Sequence, residues 1–288
     1  MEKEEKIQWH QGFFGGIEWE LREYRADLTF DKEHELSKKA LKIDLPFEEV
    51  AALVQKENMS EQSITDISAV FRYLEQKHRD AVIDGCLKFS RLPRKEPKTF
   101  ENFDFSRIRG KDVEALRNIS TLSALYARKN LAFIGPQGVG KTHLAMAFGR
   151  SVCEKGMKAY FLKATELNQK LTNARKLDKV ASVTNGLVKP SCLIIDEVGR
   201  CEFDEANTNL FFDIIDRRSN KDGPNCMIFT SNKNPSTWGK YFFEKDSLLC
   251  ALDRFFDDST VFVIKGDSYR GRKTETISLE AGTDKSLK

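Results

Sequence analysis

Apolar positions along the chain recur in two rhythms. Between residues 46 and 92 they fall at helical spacing. PFEEVAALVQKEN reads as one helix. SITDISAVFRYLEQKHRDAVIDGCLKF reads as a longer one, with Ile64, Ile67, Val70, Phe71 and Leu74 on one side. From about residue 111 short continuous apolar runs alternate with amphipathic segments. NLAFIG (130–135), KAYFLKA (158–164), NCMIFTSNK (225–233) and TVFVIKG (260–266), together with SCLIIDEVG (191–199), predict five strands. DVEALRNISTLSALYA, KTHLAMAFGRSVCEKG, ATELNQKLTNARK, DEANTNLFFDIIDRRSN and LLCALDRFFDD predict the helices around them, the second closing on Gly156. This alternation implies an α/β fold, a parallel sheet with helices on both faces.

The other segments divide the chain further. Residues 1–45 mix aromatics with charge (WHQGFFGGIEWELREY) and form an atypical N-terminal extension. Residues 46–95 supply a small helical N-terminal domain. Residues 96–275 form the α/β domain, and 276–288 a polar tail expected to fray. RLPRKEPKTFENFDFSR, with two prolines and a basic run, reads as a linker or as a strap across the α/β domain.

The chemistry starts at Gly135-Pro136-Gln137-Gly138-Val139-Gly140-Lys141-Thr142, which fits G-x-x-x-x-G-K-[ST] between an apolar strand and a helix. The glycines let several backbone N–H groups face a phosphate, and the helix N-terminus adds its positive dipole end. Lys141 can reach the β- and γ-phosphates, the Thr142 hydroxyl can ligate Mg²⁺, and His143 is expected to bind the nucleotide together with residues 135–142. LIIDE (193–197) ends a strand in two acids. Asp196 would hold Mg²⁺, and Glu197 would polarise the attacking water. At the end of the fourth strand Asn232 is the first candidate to contact the γ-phosphate, with Ser231 or Thr230 behind it. Arg254, in ALDRF, is a candidate arginine finger toward a neighbouring subunit's γ-phosphate. No Asn-Lys-x-Asp base-reading motif and no arginine-rich lid is present, which sets aside switch GTPases and small-molecule kinases.

Composition changes this picture little. The net charge of +3 does not by itself imply a nucleic-acid partner. No apolar run approaches the roughly 20 residues that cross a bilayer, and the charged start MEKEEKIQWH has no secretory pattern. The six cysteines form no CxxC pair. Reduced structural thiols in a cytoplasmic protein, with no membrane partner, are the expectation.

NLAFIGPQGVGKTHLAMAFG, CLIIDEVGRCEFDEANTNLFFDIIDRRS, IFTSNKNPSTWGKYF and ALDRFFDDSTVFVIKGDSYR together resemble the IstB-like family of AAA+ ATPases, over about residues 50–273. The KTFENFDF, SNK…WG and GDSYR segments are more specific than the phosphate loop. The resemblance implies a P-loop NTPase of the AAA+ type that uses ATP and Mg²⁺. It implies a ring or spiral homo-oligomer on duplex DNA that engages a partner transposase. A DnaC-like replicative helicase loader is the alternative. Carried over, Lys141 and Thr142 bind nucleotide and Mg²⁺, and Asp196 and Glu197 are the metal and catalytic pair. Asn232 matches a sensor, Arg254 the finger, and Arg270 a second sensor-like arginine. Arg217 and Arg218 are further candidates for an interface role.

DNA contact has two candidate locations. One is the segment 165–180, read as one helix, with Lys170, Arg175, Lys176 and Lys179 neutralising phosphates. The other is the strap RLPRKEPK (91–98). The first 45 residues also weakly resemble the start of PD-(D/E)XK nuclease-like proteins through Glu18 or Glu20 and Asp44. The completing strand is absent, so no nuclease activity is expected.

Overall fold

The computed structural model describes residues 8–9, 12–14, 17–19, 22–23, 47–108, 112–243, 252, 254–257, 259–266 and 268. Two compact units divide the chain, residues 1–84 and 85–288. In the first, β1 (Gln8–Trp9) pairs antiparallel with β4 (Arg22–Glu23), and β2 (Gly12–Phe14) with β3 (Ile17–Trp19). Helix α1 spans Phe47–Lys56, and α2 runs from Glu61 to Phe89 and so supplies the start of the second unit. Glu18 therefore lies in a strand, and Glu20 and Asp44 lie outside the described residues.

The second unit holds α3 (Val113–Asn118), α4 (Ser123–Tyr126), β5 (Asn130–Ile134), α5 (Lys141–Glu154), β6 (Ala159–Lys163) and α6 (Ala164–Lys176). After them come α7 (Val180–Val188), β7 (Cys192–Asp196), α8 (Glu205–Ser219), β8 (Cys226–Ser231) and β9 (Ser259–Val263). The five strands form one parallel sheet in the order β6-β7-β8-β5-β9. The central β7 and β8 are buried at every residue, which is why they read as unbroken apolar runs. Successive side chains alternate between faces. Leu131, Phe133, Ile194 and Ile228 pack with Leu144, Phe148 and Val152 of α5 on one side. Ala132, Ile134, Leu193, Ile195, Met227 and Phe229 pack with Leu167, Phe211 and Ile214 on the other.

Two expected helices are interrupted. The segment 112–127 breaks at Leu122, whose φ of 60° is left-handed, between a 3-10 turn at Ile119–Thr121 and α4. Leu122 is buried, so packing carries the cost of that backbone state. The segment 165–180 also breaks. Helix α6 ends at Lys176, Asp178 sits at φ 52°, and Lys179 is the N-cap of α7. Lys179 thus does not share a helix with Lys170, Arg175 and Lys176. Gly156 closes α5 at φ 74°, as expected, and Met157 N–H bonds back to Val152 O.

Candidate nucleotide site

The loop between β5 and α5 lies at the carboxyl ends of the strands, the usual ligand edge of an open parallel sheet. Gly135 N–H donates to Ser231 O at 3.1 Å and ties the loop to β8. Gly138 and Gly140 adopt φ of 79° and 95°, left-handed states that a side chain resists. Space excludes a side chain as well. A Cβ on Gly140 would come within 2.6 Å of the Phe103 ring, and one on Gly138 would overlap Ser268 Oγ. Lys141 Nζ turns back into the loop, donating to Gly135 O at 2.8 Å and Pro136 O at 2.7 Å.

The acidic strand end converges on the same place. Thr142 Oγ1 donates to Asp196 Oδ1 at 2.7 Å, and Thr230 Oγ1 donates to the same oxygen. Thr230 Oγ1 also accepts from Glu197 N–H at 3.1 Å. One buried hydroxyl therefore joins both acids to β8. This node requires β8 to lie between β5 and β7, which is where the sheet places it. Strand β8 thus separates β5, which leads into the phosphate loop, from the acidic strand β7, and β6 is the edge strand. Glu197 leaves the strand at φ 60°, and its carboxylate meets Arg200 Nη1 at 2.5 Å and Lys163 Nζ at 3.6 Å. Both cations escaped the sequence reading, although Arg200 lies three residues on and Lys163 pairs in register with Asp196.

Among the strand-end candidates, Thr230 reaches Asp196, Ser231 Oγ donates to Val198 O at 2.6 Å, and Asn232 is exposed just past β8. His143 packs on the strap rather than in the loop. Its Nε2 donates to Thr99 O at 2.8 Å and its ring meets Phe103 edge-on, 5.2 Å between centroids. Burial holds the imidazole below its ordinary pKa, so it is neutral near pH 7. The strap folds on itself through reciprocal Thr99 and Asn102 hydrogen bonds, which present Phe103 to the cradle.

The candidate arginines separate sharply. Arg254 is exposed and ion-paired with Asp216 of α8. Arg217 is partly exposed and bonds Asp213, Thr184 and Asn185. Arg218 cannot serve an interface, because it is fully buried. It donates to the carbonyls of Leu187, Val188, Pro190, Ser191 and Cys226 and to Asn225 Oδ1. Desolvation pulls its pKa down to about 10, which still leaves it charged. Arg175 is held by Asp204 at 2.7 and 2.9 Å and by Asn207, so it anchors α6 to the start of α8. Arg270 lies outside the described residues. Burial pushes the Cys153 thiol up to about 11 and Cys226 up to about 12, leaving both unreactive.

A family model described as IstB-like ATP binding protein matches residues 37–276. The chain belongs to that family. It is 34% identical over 220 residues to the insertion sequence IS5376 ATP-binding protein of Geobacillus stearothermophilus, covering 75% of this chain and 86% of the relative. It is 35% identical over 188 residues to the insertion sequence IS21 ATP-binding protein of Pseudomonas aeruginosa, covering 65% and 69%. The fold resembles AMPPCP-bound DnaA from Aquifex aeolicus, with a TM-score of 0.51 and 23% identity over 62% of this chain and 52% of that one. It resembles DnaI equally, with a TM-score of 0.51 and 17% identity over 63% and 95%. These likenesses concern architecture: a P-loop domain of the AAA+ type, here in an ATP-binding family. The matched span starts at residue 37, so most of the N-terminal extension lies before it. Among the described residues no helix is long and apolar enough to cross a membrane.

Proposed function

We propose that the chain is a Mg²⁺-dependent ATPase that assembles on duplex DNA when ATP is bound and directs a partner transposase to its target. The observation that carries the reading is the node in which Thr142 and Thr230 both bond Asp196, beside Lys141 and Glu197. The Thr142 hydroxyl and Asp196 carboxylate are hard oxygen donors of the kind Mg²⁺ takes beside nucleotide phosphates, where it would neutralise their charge. Lys141 exchanges the Gly135 and Pro136 carbonyls for phosphate oxygens. Glu197 leaves Arg200 and Lys163 to orient the attacking water. Arg254 leaves Asp216 to reach a neighbouring copy's phosphate.

Insertion-sequence relatives support transposition over the loader alternative, which would share every residue of the site and differ in partner. For DNA, Lys170 and Lys176 of α6 and Lys179 at the start of α7 are the phosphate contacts of this reading, since Arg175 is committed to Asp204. Lys170 lies 5.9 Å from the Tyr160 ring centre, and Arg91 of the strap shares that ring.

Two variants test the site. Lys141→Ala should abolish ATP-dependent assembly on DNA. Glu197→Gln should keep ATP binding, slow hydrolysis and accumulate the assembled form. Normal hydrolysis by Glu197→Gln would remove that carboxylate from the mechanism.

A further inference from the structure

A cavity lies at the end of the sheet opposite the phosphate loop, where β5 and β8 begin. It measures about 370 Å³, and Arg128, Arg218, Arg254, Asn130 and Asn225 are among its lining residues. No carboxylate is among the described residues that line it. Its floor is rigid. Asn225 exchanges two hydrogen bonds with Arg218, and Asn130 donates to Phe255 O and accepts from Met227 N–H. Arg218 Nε is the one buried side-chain polar atom left without a partner among the described residues. The rim is adjustable. Exposed Arg128 donates to a neutral acceptor, Ser219 O at 2.9 Å, and Arg254 pairs with Asp216.

Two exposed guanidinium groups on the rim, Arg128 and Arg254, favour an oxyanion, which planar N–H forks bind in pairs, and the buried Arg218 adds positive charge beneath them. The chain's own nucleotide cannot supply it. The cradle follows the last residue of β5 and Arg128 precedes its first. Five residues at about 3.3 Å each separate them by about 16 Å. We propose that this cavity receives the phosphates of a nucleotide held in the cradle of a second copy, with Arg128 acting beside Arg254. The inference rests on the trans reading of Arg254 above and adds a second cation that the sequence did not single out.

The test is steady-state ATP hydrolysis on duplex DNA by mixed copies. Arg128→Ala should bind nucleotide as the parent does but hydrolyse it at least tenfold more slowly. Mixing it with Lys141→Ala copies, which hold no nucleotide but carry Arg128, should restore turnover. Parental turnover by Arg128→Ala alone overturns the proposal. Lost turnover that the mixture does not restore overturns it too, because a cis or structural role then accounts for the loss. If the alanine variant melts early, Arg128→Gln, which can keep a hydrogen bond to Ser219 O, is read in the same way. Arg254→Ala mixed with the same copies separates the two levels. Restoration for Arg254→Ala but not for Arg128→Ala sinks this inference alone. Restoration for neither sinks the trans reading beneath it.

Discussion

Replacing Thr230 by valine removes one hydroxyl and keeps the shape. That hydroxyl is buried, donates to Asp196 and accepts the Glu197 N–H. A hydrogen bond to a charged group contributes about 1.5–3 kcal/mol and a neutral one about 0.5–1.5 kcal/mol. The added methyl returns about 0.8 kcal/mol through burial. The net loss should be about 1–4 kcal/mol of unfolding free energy, read as a lower urea midpoint at unchanged slope. ATP binding, followed with a fluorescent analogue, should persist because Lys141 and the loop are untouched. Hydrolysis should fall, because both acids lose the group that sets their positions. A midpoint shift worth less than about 0.5 kcal/mol, the size of an ordinary surface substitution, would refute the node as a structural element.

Three further outcomes follow from the same structure. Arg218→Met should destabilise the domain by about 3 kcal/mol or more, because it strands several buried carbonyls at once; a chemical melt checks it. The His143 pKa is lowered in the fold, so the unfolded chain binds the proton more readily. Stability from this group is therefore full above the ordinary histidine pKa of about 6.5 and declines as pH falls below it toward the folded value. Melting His143→Asn beside the parent from pH 7.5 to 5 should show a shallower decline in the variant. Asp204→Ala removes the cap that accepts Asn207 N–H at 2.7 Å. It should cost about 1 kcal/mol by denaturant melt and loosen Arg175.

Much of this architecture is legible in the residues, and the exceptions have physical causes. Strands β5, β7 and β8 fall inside the apolar runs because strands buried on both faces carry few polar residues, whereas β9, largely exposed, is marked by its β-branched and aromatic residues. The cradle is legible because its glycines answer to backbone geometry. The break at Leu122 carries no glycine or proline to announce it; only packing places a leucine there. The break at Asp178 had a faint signal, an aspartate in a run of lysines, and missing it hid α7. Arg218 was readable in hindsight. Phe211, Ile214, Ile215 and Arg218 share one helical face, and the first three are buried core residues. Thr230 ranked behind Asn232 because a sequence cannot show which strand-end hydroxyl meets a neighbouring strand's acid. The Arg200 and Lys163 contacts to Glu197 depend on a left-handed turn at a non-glycine residue, which no local pattern marks.

The central claim is that a triphosphate gripped at Lys141 joins copies of the chain around a double helix. Sedimentation of the purified protein with duplex DNA, Mg²⁺ and a slowly hydrolysed ATP analogue tests it most directly. The account predicts a large complex that forms with the analogue, is absent without nucleotide, and is absent for Lys141→Ala. A protein that stays monomeric under all three conditions, or that assembles on DNA equally well without nucleotide, would contradict it.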